Sequence, residues 1–256
     1  GDSEKLLGRF SSRERDDLII ATKVGYEGGA GRQNLIAQFD QSRRRLFMDM
    51  VDILYLHRFD RDTPLTETLE TYALLRETGK IRFVGLSNFA AWQVMRAIYE
   101  ARTFDLSISL MQPMYSLVKR QVEVEILPMC AEMDIKVASY SPLGGGLLTG
   151  KYAVGETGRL SENDLYATRY GQDYMHNAAD GLMQLGQDLG VHPATLAVAW
   201  VGKHWSNPIP IISARSISQL KPSLAALDFD MDDVLYAHLS KLTPTPPPAT
   251  DRIEEK

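Results

Sequence analysis

Apolar positions along the chain follow two alternating patterns. Short continuous apolar runs suit strands buried on both faces, and longer stretches with apolar residues three or four apart suit amphipathic helices. The clearest run is Val51–Leu56, apolar except for Asp52 and ending at His57, Arg58 and Asp60. Before it the pattern predicts a short helix over Ser3–Phe10, a strand over Asp17–Lys23, a glycine-rich loop over Gly25–Gly31 and a helix over Asn34–Phe47. The basic run Arg43-Arg44-Arg45 in that helix reads as a solvated face. After it come a helix over Pro64–Thr78 closed by Gly79, a strand over Ile81–Ser87 leading to Asn88, and a helix over Ala91–Arg102. Then follow a strand over Ser107–Gln112, a helix over Glu123–Met133 and a strand over Ile135–Ser141. Gly144–Tyr174 is long, polar and glycine-containing, as functional flaps are. Helices over His176–Leu189 and Pro193–Lys203, a strand over Pro208–Ser213 and a helix over Ser218–Leu227 complete the pattern. The segment from Thr243 is proline-rich and ends the fold as a tail over 243–256.

Six strand–helix units in strict alternation predict a parallel sheet with helices outside it. Periodicity leaves two architectures open: an open doubly wound sheet, or an eight-stranded (β/α)8 TIM barrel whose first two strands precede Gly1. In both, the C-terminal edge of the strands is where sites are built. Those edges read Lys23, His57, Ser87-Asn88, Gln112, Tyr140-Ser141 and Ser213-Ala214-Arg215. A purely structural sheet does not need polar groups at every strand end. Together they suit a planar polar ligand: Asn88 and Gln112 can bind an amide, and Tyr140 can stack on a ring.

Composition narrows the classes. A net charge of −5 argues against a general nucleic-acid binder, and no apolar run is long enough to span a bilayer. The single cysteine, Cys130, excludes an internal disulfide framework and fits a reducing compartment such as the cytoplasm. Gly145-Gly-Leu-Leu-Thr-Gly-Lys151-Tyr152 nearly matches a P-loop but places a tyrosine where a small hydroxyl residue must ligate magnesium. His176, His192, His204 and His238 have no metal-ligand spacing and read as surface or helix-end residues. Trp92, Trp200 and Trp205 read as core or interface residues.

The stretches Gly1-Asp-Ser-Glu-Lys-Leu-Leu-Gly8, Ala21-Thr-Lys23, Asp52-Ile-Leu-Tyr-Leu-His57, Gly79-Lys-Ile-Arg, Gly85-Leu-Ser-Asn88, Gln112-Pro-Met-Tyr115, Tyr140-Ser-Pro-Leu-Gly-Gly-Gly, Gly150-Lys-Tyr152 and Ala214-Arg215…Gln219-Leu220 resemble the aldo-keto reductases, in that family's order. The resemblance implies a single (β/α)8 barrel domain over 1–256 that binds NADP(H) without a Rossmann fold and reduces small aldehydes or ketones, including sugar-like ones. It implies that Lys23 lowers the pKa of a proton-donating tyrosine and that His57 bonds the substrate carbonyl. The tyrosine is expected directly ahead of Gly1 and its aspartate partner a few residues earlier. Ser87, Asn88 and Gln112 resemble the nicotinamide carboxamide ligands, and Tyr140 the ring stacked on it. Ser141, Pro142, Leu143 and Gly144 resemble the pyrophosphate turn, with Lys151 and Arg159 on the flap. Arg215 would meet a 2′-phosphate, Ser213 would be a further cofactor-binding residue, and Gln219 and Ser223 would border the adenine. Ser213 stands where the family commonly has glycine, and Pro222-Ser223 where it has Glu-Asn. Two other functions remain open: an NADPH-binding regulatory partner like the β subunits of ion channels, and a Schiff-base enzyme with Lys23 as nucleophile.

Overall fold

The computed structural model describes residues 1–153, 155–250, 252 and 254. The chain divides into two compact units, Gly1–Gln112 with Met133–Lys136, and Pro113–Glu132 with Val137–Lys256.

The first unit alternates helix and strand: α1 (Asp2–Ser11), β1 (Ala21–Val24), α2 (Arg32–Leu46), β2 (Val51–Leu56), α3 (Leu65–Glu77), β3 (Ile81–Ser87), α4 (Ala91–Ala101) and β4 (Ile108–Gln112). The strands pair in sequence order and in parallel, with Lys23 opposite Tyr55, Tyr55 opposite Gly85, and Ser87 opposite Gln112. Every residue of β2 is buried, as its run, apolar but for Asp52, predicts. The α2 helix buries Leu35, Phe39, Ser42 and Leu46, which fall on one face at spacings of three and four. It ends where Phe47 turns left-handed, at φ 55°. In β3, a side chain on Gly85 would meet the Tyr55 ring at 2.3 Å. The missing Cβ is what lets that ring lie across the neighbouring strand.

One charge lies inside this apolar sheet. Asp52 is 2% exposed. Its Oδ2 accepts from the Ile20 backbone N–H at 2.8 Å and meets Arg15 at 2.8 Å, while its Oδ1 accepts from Arg82 at 3.2 Å. Because the Ile20 N–H is taken by this carboxylate, the ladder begins at Ala21. The strand predicted from Asp17 therefore starts later, behind a 3-10 turn over Arg15–Asp17.

The second unit contains α5 (Ile126–Glu132), β5 (Lys136–Ser139, its first residue counted with the first unit), α6 (Arg159–Glu162), α7 (Asp164–Tyr170), α8 (Asp173–Leu189), α9 (Pro193–Lys203), β6 (Ile209–Pro210), α10 (Ile217–Leu224) and α11 (Asp233–Ser240). β6 pairs in parallel with β5 over Ala138–Ser139 and is shorter than the predicted Pro208–Ser213. Pro208 and Pro210 have no N–H to give, so the ladder cannot extend evenly. The predicted flap contains short helices as well as loop, and Tyr170 within it is fully buried; Val154 lies outside the described residues. Residues 243–250 of the predicted tail form neither helix nor strand, and 251, 253, 255 and 256 lie outside the described residues.

This unit is held by a buried polar knot. Arg120 donates two 2.9 Å bonds to Glu123 and one of 2.8 Å to the Ser240 carbonyl, with its guanidinium over the Trp200 ring. The Tyr115 hydroxyl donates to the same carboxylate at 2.9 Å. Among the described residues, no helix is long and apolar enough to cross a membrane.

Burial alone would raise the Asp52 pKa, but the Ile20 N–H, Arg15 and Arg82 outweigh it and hold it below the ordinary value. A carboxylate with a depressed folded pKa stabilises the fold above its unfolded pKa, and that contribution is lost as pH falls through the folded value. Asp52→Asn is expected to cost about 1–3 kcal/mol at neutral pH. The variant should also lose part of the native protein's decline in stability below about pH 4. Urea unfolding at neutral and acid pH measures both effects.

Candidate active site

Parallel pairing brings the ends of β1 to β4 to one edge of the first unit's sheet. There the Lys23 ammonium donates to Gln112 Oε1 at 2.7 Å, joining residues 89 positions apart. It also sits 5.8 Å from the centre of the Tyr55 ring. Ser87 Oγ donates to the Gln112 carbonyl at 2.9 Å. Asn88, in a left-handed conformation (φ 58°), donates through Nδ2 to the His57 carbonyl at 2.9 Å and to Ser87 Oγ at 3.1 Å. The His57 N–H itself donates to the Val24 carbonyl at 2.8 Å. Lys23, His57, Ser87, Asn88 and Gln112 thus form one connected cluster.

Its electrostatics follow from crowding. Partial removal from water lowers the Lys23 pKa. The His57 pKa is lowered by burial first, then by the positive charges of Lys23 and Arg58. Tyr55 is pushed up by burial, against a hydrogen bond from Gln112. Gln112 is therefore shared between a lysine and a phenol. Among the described residues no group of three or more His, Cys, Asp or Glu side chains could hold a metal.

The remaining predicted residues lie in the second unit. Tyr140 follows β5 and exchanges backbone bonds with Pro113 and Tyr115; burial raises its hydroxyl pKa. From Ser141 (φ 61°) the chain enters a turn in which Gly144, Gly145 and Gly146 all have positive φ. A Cβ on Gly145 would meet Tyr166 at 2.9 Å. Pro142 and Gly144 are buried, whereas Ser141 and Leu143 are half-buried. Lys151 Nζ lies over the Tyr152 ring at 4.7 Å and donates to the Thr157 carbonyl. Arg159 and Arg169 both approach Tyr166, at 5.5 and 5.3 Å, and Lys119 lies 5.7 Å from the centre of the Tyr170 ring. Among the described residues none of these four cations has a carboxylate partner. Ser213, Arg215 and Gln219 are exposed, and Gln219 Oε1 accepts from the Arg215 N–H at 3.2 Å. Ser223 is 2% exposed, and its Oγ has no hydrogen-bond partner among the described residues.

Sequence reasoning did not single out Tyr55, Tyr26, Lys119, Tyr166 or Arg169 for the site. Tyr55 was the findable one: it lies two residues before His57 on the same strand face and opposite a glycine. Of the histidines, His192 caps α9 through Nδ1, while His204 is buried at 5% beside Ser206 and the Tyr115 ring. Trp200 is core; Trp92 and Trp205 are exposed.

Lys23→Met removes one of the charges that depress His57, so the imidazole should titrate at higher pH than in the native protein. NMR titration of the ring protons measures the shift, and an unchanged or lowered value would contradict the cluster.

The sequence matches the profile of the Aldo/keto reductase family over residues 1–243. It is 29% identical to an uncharacterized oxidoreductase, YrpG, of Bacillus subtilis, over 96% of this chain and 79% of that protein. It is 32% identical to a probable voltage-gated potassium channel subunit beta of Arabidopsis thaliana, over 89% of this chain and 74% of that one. Identity to the L-glyceraldehyde 3-phosphate reductase of Escherichia coli is 29%, over 89% and 71% respectively. With parallel strand–helix units and a match along nearly its whole length, the chain belongs to the aldo/keto reductase family, carbonyl-reducing oxidoreductases whose fold is the (β/α)8 barrel.

Proposed function

We propose that the protein is an NADP(H)-dependent reductase that converts small aldehydes or ketones to alcohols. The observation that supports this best is the hydrogen-bonded cluster of Lys23, Gln112, Ser87, Asn88 and His57 on one sheet edge. Bound, the reduced nicotinamide supplies the hydride. The residues of this chain then have separate tasks. Ser87, Asn88 and Gln112 offer donors and acceptors suited to a carboxamide. His57, kept neutral by its lowered pKa, donates a hydrogen bond to the carbonyl oxygen as negative charge develops there. Lys23 would favour the ionised form of a proton-donating tyrosine brought beside its ammonium.

The second unit's chemistry suits the anionic half of the cofactor. Lys119, Lys151, Arg159 and Arg169 carry positive charge without carboxylate partners among the described residues, beside a turn of positive-φ glycines. Such a set is repulsive until an anion joins it. Arg215 and Ser213, on an exposed loop, would take a 2′-phosphate, and Gln219 would border the adenosine. Ser223 is 2% exposed on α10 and offers the adenosine no accessible surface.

The Arabidopsis relative named as a channel subunit raises a regulatory alternative, and His57 beside Lys23 favours catalysis over it. The full-length protein, given NADPH and an aromatic aldehyde, is expected to consume the cofactor. Lys23→Met should lower kcat by about a hundredfold or more, the usual scale for proton-transfer catalysis. NADPH binding without consumption across a broad carbonyl panel would instead establish the regulator.

A further inference from the structure

Next to the cluster lies a cation that the proposed chemistry does not use. Arg58 follows His57 directly and is exposed. Its guanidinium carbon lies 4.8 Å from the centre of the Tyr26 ring, and that ring lies 4.8 Å from the His57 ring, tilted by 47°. The order is guanidinium, phenol, imidazole. Among the described residues Arg58 makes neither a salt bridge nor a side-chain hydrogen bond. The nearest acid along the chain, Asp60, is engaged elsewhere: Oδ2 accepts from the Ala30 N–H and from Thr63 Oγ1, each at 2.7 Å, and Oδ1 accepts from the Asp62 N–H at 3.0 Å.

The loop that carries this ring is held in place, while Tyr26 itself is 54% exposed. Gly25 donates to Gln38 Oε1 at 2.9 Å, and the Gln38 and Asn34 amides both donate to the Glu27 carbonyl. Asn34 also donates to the Gly29 carbonyl, and Asp60 holds the Ala30 N–H. Tyr26 therefore rides on a loop fixed at both ends. A guanidinium lying on a ring uses its face for the stack and keeps its N–H edges for another partner. It also loses less freedom when that partner arrives.

We propose that Arg58, positioned by Tyr26, anchors an oxyanion on the substrate, so that the preferred substrates are small aldehydes carrying a carboxylate or a phosphate. The proposal rests on the reductase reading for the identity of the reacting group, and on the geometry around Tyr26 for the anion. A planar guanidinium edge matches either oxyanion with two parallel bonds. Charge supports it as well: Arg58 already acts on the His57 imidazole, so an anion docked there would lie within electrostatic reach of the proposed reacting centre.

The test compares para-carboxybenzaldehyde with its neutral amide, and glyceraldehyde phosphate with glyceraldehyde, in the full-length protein with NADPH. The readout is the ratio of kcat/KM, anionic over neutral, within each pair. Arg58→Met is expected to lower that ratio by about ten- to a hundredfold, mostly through KM, the scale of a lost charge-assisted bond. Arg58→Lys should fall between the two, and Arg61→Met, at an exposed arginine nearby, should match the native ratio. The pair with the larger Arg58-dependent ratio identifies the oxyanion. A ratio unchanged by Arg58→Met in both pairs overturns the proposal. Calorimetric binding of the same compounds separates the two readings: Arg58-dependent binding of the anion with no turnover of any carbonyl keeps the anchor and rejects the reductase, whereas turnover with no preference for the anion does the reverse.

Discussion

A carboxylate at the opening of the most buried strand fixes the geometry of the first unit. Asp52 is enclosed on β2 and bound by one backbone N–H and two guanidinium groups. An ion taken out of water is tolerated only when its lone pairs are met, and here one partner is the residue just ahead of β1. The bond sets where β1 starts against β2, and because side chains alternate along a strand, a slip of one residue would send Lys23 to the opposite face. The N-terminal end of the sheet thus controls register, and the C-terminal end carries the polar cluster. That division between stabilising and functional edges is general in parallel α/β folds.

At the C-terminal edge the same economy appears in Gln112. Its side-chain oxygen accepts from Lys23, its backbone carbonyl accepts from Ser87, and its amide faces Tyr55. A carboxamide engaged on every side is well oriented, and the ammonium it holds is kept close to the ends of β2 and β3. Tyr55 can underlie this arrangement because Gly85 leaves room for its ring. Hydrogen bonds among such partly buried groups reinforce one another, so the cluster orients its members more firmly than any single pair would.

Much of this was legible in sequence. Val51–Leu56 announced a strand buried on both faces, and polar residues at successive strand ends announced an edge carrying a polar cluster. What was not legible depends on contacts between distant residues. The late start of β1 follows from Asp52 claiming the Ile20 N–H, 32 positions away. The Lys23–Gln112 bond spans 89 positions. The shortened β6 was readable from its two prolines, whereas the burial of Ser223 depends on how α10 packs, which a motif match does not encode. The Tyr26 platform was invisible for a related reason: its loop is shaped by side-chain bonds from Asn34, Gln38 and Asp60, none of which leaves a periodic trace.

The electrostatics of His57 connect these parts. The cationic form of its imidazole is disfavoured by burial, assisted by two positive charges, one on the preceding strand and one on the next residue. Positive charges gathered around the imidazole repel a further one. A negative charge brought close to His57 or to Arg58 would relieve that repulsion. The same two cations that disfavour the imidazolium would also favour an anionic neighbour, and the first effect needs no atoms beyond those that produce the second.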